Sequence, residues 1–267
     1  LLASFYANGG DSYLFSGEIQ ESILEYERSQ QYSLKAKDSL LYGTALNYEA
    51  SAYSELGSYA TASNIFRKAI SIFTKLNNKS GIVNAKIGLS NLYSKIGFMD
   101  EAESERQEIL DIIAKSNPNS SRSLIPLLYN MAIDYRKQDK QKKRLDALNR
   151  AYSICQETEN GQYLPIIVYS LLGAYAENDS VEKANYFYKI IEERYAALTP
   201  IPTEDEYHNA MSRYYFVKQQ YDKALGESLG VLKSYERSQN VEGVYVTKDI
   251  LSKIYAQKKD ANKALYY

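Results

Sequence analysis

Apolar residues recur at helical spacing along almost the whole chain. In residues 41–80, Leu46, Ala50 and Tyr53 stand four and three apart, which puts them on one face of a helix. Gly57 interrupts the pattern, and Ser58 stands where an N-cap belongs. Ala62, Phe66, Ala69 and Phe73 then resume it as the apolar stripe of a second helix. Further on, Pro200 and Pro202 precede Thr203-Glu204-Asp205-Glu206, which predicts a capping box opening another helix. No segment shows the sustained period-two alternation of a half-buried strand.

Laid on itself, the chain shows why the pair of helices returns. The turn positions Gly17, Gly57, Gly97, Asp139, Asp179, Gln219 and Lys259 are spaced 40, 40, 42, 40, 40 and 40 residues apart. Four residues before each stands a tyrosine: Tyr13, Tyr53, Tyr93, Tyr135, Tyr175, Tyr215 and Tyr255. Five residues after come Ser22, Ala62, Ala102, Arg144, Ala184, Ala224 and Ala264, and twelve after come Ser29, Ala69, Ile109, Ala151, Ile191 and Val231. The two-residue insertion falls in the polar segment Ser116–Ser121, where a loop absorbs length. The repeat divides residues 1–267 into one domain of about seven units: 1–40, 41–80, 81–122, 123–162, 163–202, 203–242 and a shortened 243–267. Each is a helix hairpin in which a small residue permits close helix crossing and the tyrosine fills the wedge between neighbours.

The run of Tyr53, Gly57, Ala62 and Phe66 resembles the tetratricopeptide repeat, and the resemblance covers essentially the whole chain. A 40-residue period resembles the longer-helix subclass of kinesin light chains and bacterial quorum-sensing regulators. The resemblance implies an all-α, right-handed superhelical solenoid of antiparallel hairpins, with the first helix of each pair lining a concave groove. Arg144 departs from the pattern at a small-residue position, and Arg106 and Ser228 depart at aromatic ones, so the joints there are expected to be more polar or looser. Gly9 and Gly10 inside the first helix, each costing about 1 kcal/mol relative to Ala, predict a frayed or irregular first unit. A solenoid end needs a polar cap; with the last helix ending at Tyr267, continuation past that residue is expected, including a membrane anchor if the chain belongs to a membrane-bound sensor.

Composition narrows the function. With 45% hydrophobic and 24% charged residues, the chain has enough apolar material for a core and too balanced a charge for disorder. A net charge of −1 leaves no basic surplus to neutralise a nucleic-acid backbone, so no direct nucleic-acid binding is expected. No stretch approaches the ~18 apolar residues of a membrane span. His208 is the sole histidine and Cys155 the sole cysteine, which excludes multi-histidine or multi-cysteine metal sites and predicts packing or surface roles for both. Gly9-Gly10 lacks the rest of a phosphate loop, and the carboxylates Glu101, Glu103, Glu105 and Glu108 read as a solvated helix face. Neither catalysis nor a cofactor is expected. The basic run Lys137, Lys140, Lys142, Lys143 and Arg144 straddles a turn and reads as solubilising.

What remains is the groove that the resemblance implies. Its inward positions, thirteen, ten, six, three and two residues before each turn, include the polar Asn47, Ser51, Asn84, Asn91 and Asn209. They also include the charged Lys95, Arg136, Lys137, Glu177, Arg213 and Lys253 and the aromatic Tyr129, Tyr169 and Phe216. Asn pairs with peptide amides, Tyr gives stacking area and Arg selects carboxylates, so a protein or peptide segment is the expected partner. The ligand-binding set is Asn47, Asn91, Lys95, Tyr129, Arg136, Tyr169, Asn209 and Arg213. The expected role is the sensory or regulatory domain of a larger bacterial signalling or transcription-regulatory protein, extracytoplasmic if membrane-anchored. The alternative is a free-standing cytoplasmic adaptor.

Overall fold

The computed structural model describes residues 1–115, 124–158, 161–195 and 197–267, so the insertion expected at Ser116–Ser121 lies outside the described residues. Among the described residues there are fourteen α-helices and no strand. They form hairpins: α1 (Leu2–Ser16) with α2 (Ile19–Lys35), α3 (Ser39–Glu55) with α4 (Tyr59–Lys75), and α5 (Lys79–Lys95) with α6 (Met99–Ala114). There follow α7 (Leu124–Lys137) with α8 (Gln141–Glu157), α9 (Leu164–Glu177) with α10 (Val181–Arg194), and α11 (Glu204–Val217) with α12 (Tyr221–Arg237). The last pair is α13 (Val241–Gln257) with α14 (Ala261–Tyr266). The chain divides into two compact units, Leu1–Ser120 and Ser121–Tyr267. Within each, hairpins stack as in an all-α solenoid: α2, α4, α8 and α12 lie against their own partners and the next first helix, while beyond α10 it is α9 that packs directly on α11.

The hairpin turn has one chemical solution used seven times. Gly17, Gly57 and Gly97 sit at φ of +83° to +88°, and Asp139, Asp179, Gln219 and Lys259 at +50° to +59°. A left-handed residue at this point ends a helix by a Schellman turn. The N–H of the following residue donates to the carbonyl of the repeat tyrosine, from Glu18 to Tyr13 through Asp260 to Tyr255, at 2.8–3.0 Å. The turn residue's own N–H donates to the carbonyl three residues back, at 2.9–3.3 Å. Each tyrosine therefore closes the turn with its backbone and packs with its ring. Tyr93, Tyr135, Tyr175 and Tyr255 are buried, Tyr53 and Tyr215 half-buried, and Tyr13 is exposed. In the second unit the lysine four residues past each turn lies over that ring: Lys143, Lys183, Lys223 and Lys263, at 5.1–5.4 Å. Such a contact contributes about 0.5–1 kcal/mol at an exposed site.

Two expected caps do not form. Ser58 precedes α4 and Thr203 precedes α11, but neither side chain accepts a helix N–H. Thr203 takes a left-handed backbone (φ 47°), incompatible with the extended geometry a capping box requires. Among the described residues the side-chain caps come from Asp38, Asn78, Asn240 and Asp260, mostly at the turns between hairpins.

The predicted small column is fully buried at Ser22, Ala62, Ala102, Ala184 and Ala224. Glycines make a second set of close approaches. A Cβ on Gly88 would stand 2.3 Å from the Phe66 ring, one on Gly81 2.4 Å from Phe73, and one on Gly243 2.6 Å from Tyr235. The same holds for Gly10, where a Cβ would meet Tyr26 at 2.5 Å. The first unit is therefore not frayed: α1 runs unbroken through Gly9 and Gly10, and the missing side chain at Gly10 is the seat of the fully buried Tyr26. Burial of one such aromatic contributes about 2–3 kcal/mol, which outweighs the ~1 kcal/mol helical cost of its glycine.

Gly243→Ala should lower stability by about 1–3 kcal/mol through overpacking against Tyr235. Gly226→Ala, on an exposed face of α12 with open space at its Cβ, should raise it by up to about 1 kcal/mol. Thermal unfolding followed at 222 nm should therefore move in opposite directions for these two identical substitutions.

Candidate functional site

The first helices of the second unit enclose a recess of about 230 Å³. It is lined by Tyr129, Ala132, Ile133 and Arg136 of α7, by Tyr169, Ser170 and Gly173 of α9, and by Glu206, Asn209, Ala210 and Arg213 of α11. Glu242, Gly243 and Val246 of α13 complete that wall, with Arg144, Leu148 and Tyr235 from the second helices and Asn240 from a turn. Within each first helix the lining residues stand one, three or four apart, the i, i+3, i+4 pattern of a single helix face. The recess opens along Arg136, Arg213, Glu242 and Val246 into a wider groove of about 940 Å³, where Phe216, Tyr245 and Lys253 are added.

Its charges are arranged in two sets. Glu177 accepts from the Arg144 Nη1 and from the Arg213 Nε, the arginine side chains being 6% exposed and the glutamate 27%. Burial by itself would raise the Glu177 carboxyl, but the Arg213 and Arg144 guanidiniums outweigh it and bring the pKa down to about 2. Burial lowers the Arg144 guanidinium from its ordinary value, with Glu177 opposing. Arg213 also donates from Nη1 to the backbone oxygen of Asn209 at 2.9 Å and to its Oδ1 at 3.2 Å, and Asn209 Nδ2 donates to the Tyr235 hydroxyl at 2.6 Å. The joint at Arg144 is therefore polar but well tied.

The second set spans the mouth. Glu242, in the first turn of α13, lies 3.5 Å from Arg136 Nη2 and 2.9 Å from Lys137 Nζ, both in the last turn of α7. Acid at a helix start and base at a helix end also complement the two helix dipoles.

Five of the eight residues in the expected ligand-binding set meet at this recess: Tyr129, Arg136, Tyr169, Asn209 and Arg213. Asn47, Asn91 and Lys95 belong to α3 and α5 of the first unit, where Lys95 pairs with Glu55 at 3.1 Å. Arg213 is not the free cation its groove position suggests, because it is buried against Glu177. Tyr169 is wholly buried, its ring edge-to-face with Tyr195 and Tyr207. Glu206, Tyr235 and Glu242 line the recess without having been singled out. Glu206 stands thirteen residues before Gln219, an inward position, but the apparent capping box disguised it. Outside the recess, His208 pairs through Nδ1 with Glu227, which raises its pKa, and burial pushes the Cys155 thiol up, which disfavours its thiolate. Among the described residues no helix is long and apolar enough to cross a membrane.

The architecture is that of tetratricopeptide-like helical repeat proteins. The apo form of RapI superposes with a TM-score of 0.76 at 14% identity, covering 100% of this chain and 95% of that one. The Rap conjugation gene regulator of plasmid pLS20, solved in complex with a Phr peptide, gives 0.68 at 17% identity, over 99% of this chain and 73% of that one. The signal-transduction ATPase with numerous domains and a tetratricopeptide repeat sensor from Pyrococcus horikoshii gives 0.66 at 15% identity, over 98% and 40%. The sequence matches no family profile and no curated protein.

Glu177→Gln leaves two buried guanidiniums without their counter-charge and should cost about 3 kcal/mol in denaturant unfolding at pH 7. A carboxyl whose pKa falls on folding, here from 4.5 to about 2, stabilises the fold above about pH 4.5 and loses that effect as pH falls to about 2. The gap between wild type and variant should accordingly close across that window; a constant gap would show that the ion pairs are not its cause.

Proposed function

We propose that this chain is a non-catalytic regulatory scaffold that binds a short linear peptide in the recess of its second unit, as the sensory domain of a larger bacterial signalling protein. The observation that carries the reading is the convergence of Tyr129, Asn209, Tyr235 and Arg136 on one wall built mostly from helices. Such a wall offers a guest chiefly side chains, and amides with aromatic faces suit an extended peptide: amides pair with its backbone, rings cover its side chains. The Arg144–Glu177–Arg213 triad holds α8, α9 and α11 in place beneath the guest, so part of the ordering cost is met before binding. The wider groove gives the peptide a path past the Glu242 bridge. Support also comes from the similarly folded Rap regulator bound to a Phr peptide and from the repeat sensor of the Pyrococcus ATPase. Asn47, Asn91 and Lys95 stand on α3 and α5 of the first unit and take no part in this reading.

Affinity selection from a randomised synthetic hexapeptide library should retain discrete peptides on the wild-type protein. Val246→Trp, which fills the neck between recess and groove, should weaken the selected peptides by at least about tenfold in calorimetry with the circular dichroism unchanged. Retention of no peptide, or equal affinity for the variant, refutes the assignment.

A further inference from the structure

Of the carboxylates lining the recess, one has no counter-charge. Glu242 is bridged to Arg136 and Lys137, and Glu177, on the groove into which the recess opens, is shared by two arginines. Glu206 lines the recess and is half-buried, yet among the described residues no cation lies within ion-pair distance of its carboxylate, which accepts from its own backbone N–H. We propose that the recess recognises a basic group of its peptide guest, a guanidinium or an ammonium, with Glu206 as the counter-charge. The inference rests on the peptide reading above and adds the chemical character of the guest.

The physical reason is the cost of leaving a carboxylate partly desolvated without a partner. Burial raises the Glu206 carboxyl from its ordinary value, as that cost requires. The helix start does not explain the residue. Glu204 in the same turn is 65% exposed and Asp205 accepts from Ser234 Oγ at 3.0 Å, so the α11 dipole already has two acids, and Glu206 is the one placed on the recess.

The surroundings suit a cation. Tyr129 and Tyr235 line the same recess, and burial together with the Glu206 charge pushes both hydroxyls up to about 12. Aromatic side chains in the same lining suit a cationic guest. The unit already seats four of its own lysines on tyrosine rings, so the same contact is in use elsewhere in its fold. The cations of the recess do not compete, because each touches a carboxylate. Along α11, Glu206 and Arg213 stand seven residues apart, roughly 10 Å, and the Arg213 charge is already met by Glu177. A basic side chain at Glu206 thus meets its partner without facing the buried arginines directly.

The test uses positional-scanning pools of synthetic hexapeptides in which one position is fixed as arginine, citrulline or glutamate and the others are randomised. Wild-type protein should bind the arginine pool at least about tenfold more tightly than the neutral citrulline pool at one position. Glu206→Gln should erase that preference, and Glu206→Lys should turn it toward glutamate pools, with thermal midpoints confirming that both variants fold. Equal binding of arginine and citrulline pools at every position, or an arginine preference undiminished in Glu206→Gln, overturns the inference while leaving the peptide reading standing. Failure of every pool to bind removes the peptide reading and this inference with it.

Discussion

Seven times in this chain a helix must stop, reverse and present its neighbour at the same angle, and one backbone conformation makes that possible. The left-handed residue at Gly17, Gly57, Gly97, Asp139, Asp179, Gln219 and Lys259 sends the next N–H back to the repeat tyrosine's carbonyl. Because the tyrosine is tied to the turn through its backbone, its ring stands at the same place in the repeat each time, and its burial varies with what packs behind it. Four of the seven turns hold side chains that adopt positive φ at roughly 1 kcal/mol or more each, a strain that the packing on both sides sustains.

Packing then depends on where side chains are missing. Phe66, Phe73, Tyr26 and Tyr235 lie against Gly88, Gly81, Gly10 and Gly243 at distances that admit no methyl group. A glycine that weakens its own helix thereby lets a large ring enter the neighbour's surface. In the second unit the same economy reaches the polar positions. Arg144 replaces a small residue of the repeat, and its charge is met by Glu177, which it shares with Arg213.

That substitution links scaffold and site. Once Arg144 enters the interior, Glu177 must face it, Arg213 completes the triad, and Arg213 holds Asn209, which in turn donates to the Tyr235 hydroxyl. The side chains of the recess wall are thereby tied to a closed electrostatic network. Against that neutralised background one uncompensated carboxylate, Glu206, becomes the chemical feature a guest would meet first.

The sequence alone determined the helices, their period, the turn positions and the small and aromatic columns, since all of these are set by interactions within about one helical turn or by identical repetition. It also indicated an inward face, and Tyr129, Arg136, Tyr169, Asn209 and Arg213 do converge. It misjudged Gly10, because helix propensity is a local quantity and the seat for Tyr26 is not. It misread Glu206 as a cap, because spacing carries no record of the left-handed Thr203. Which charges are spent and which are available was decided only by the tertiary structure. Glu177 meets partners 33 and 36 residues away and Glu242 meets Arg136 across 106, and pairing over such separations is fixed by the stacking of whole hairpins.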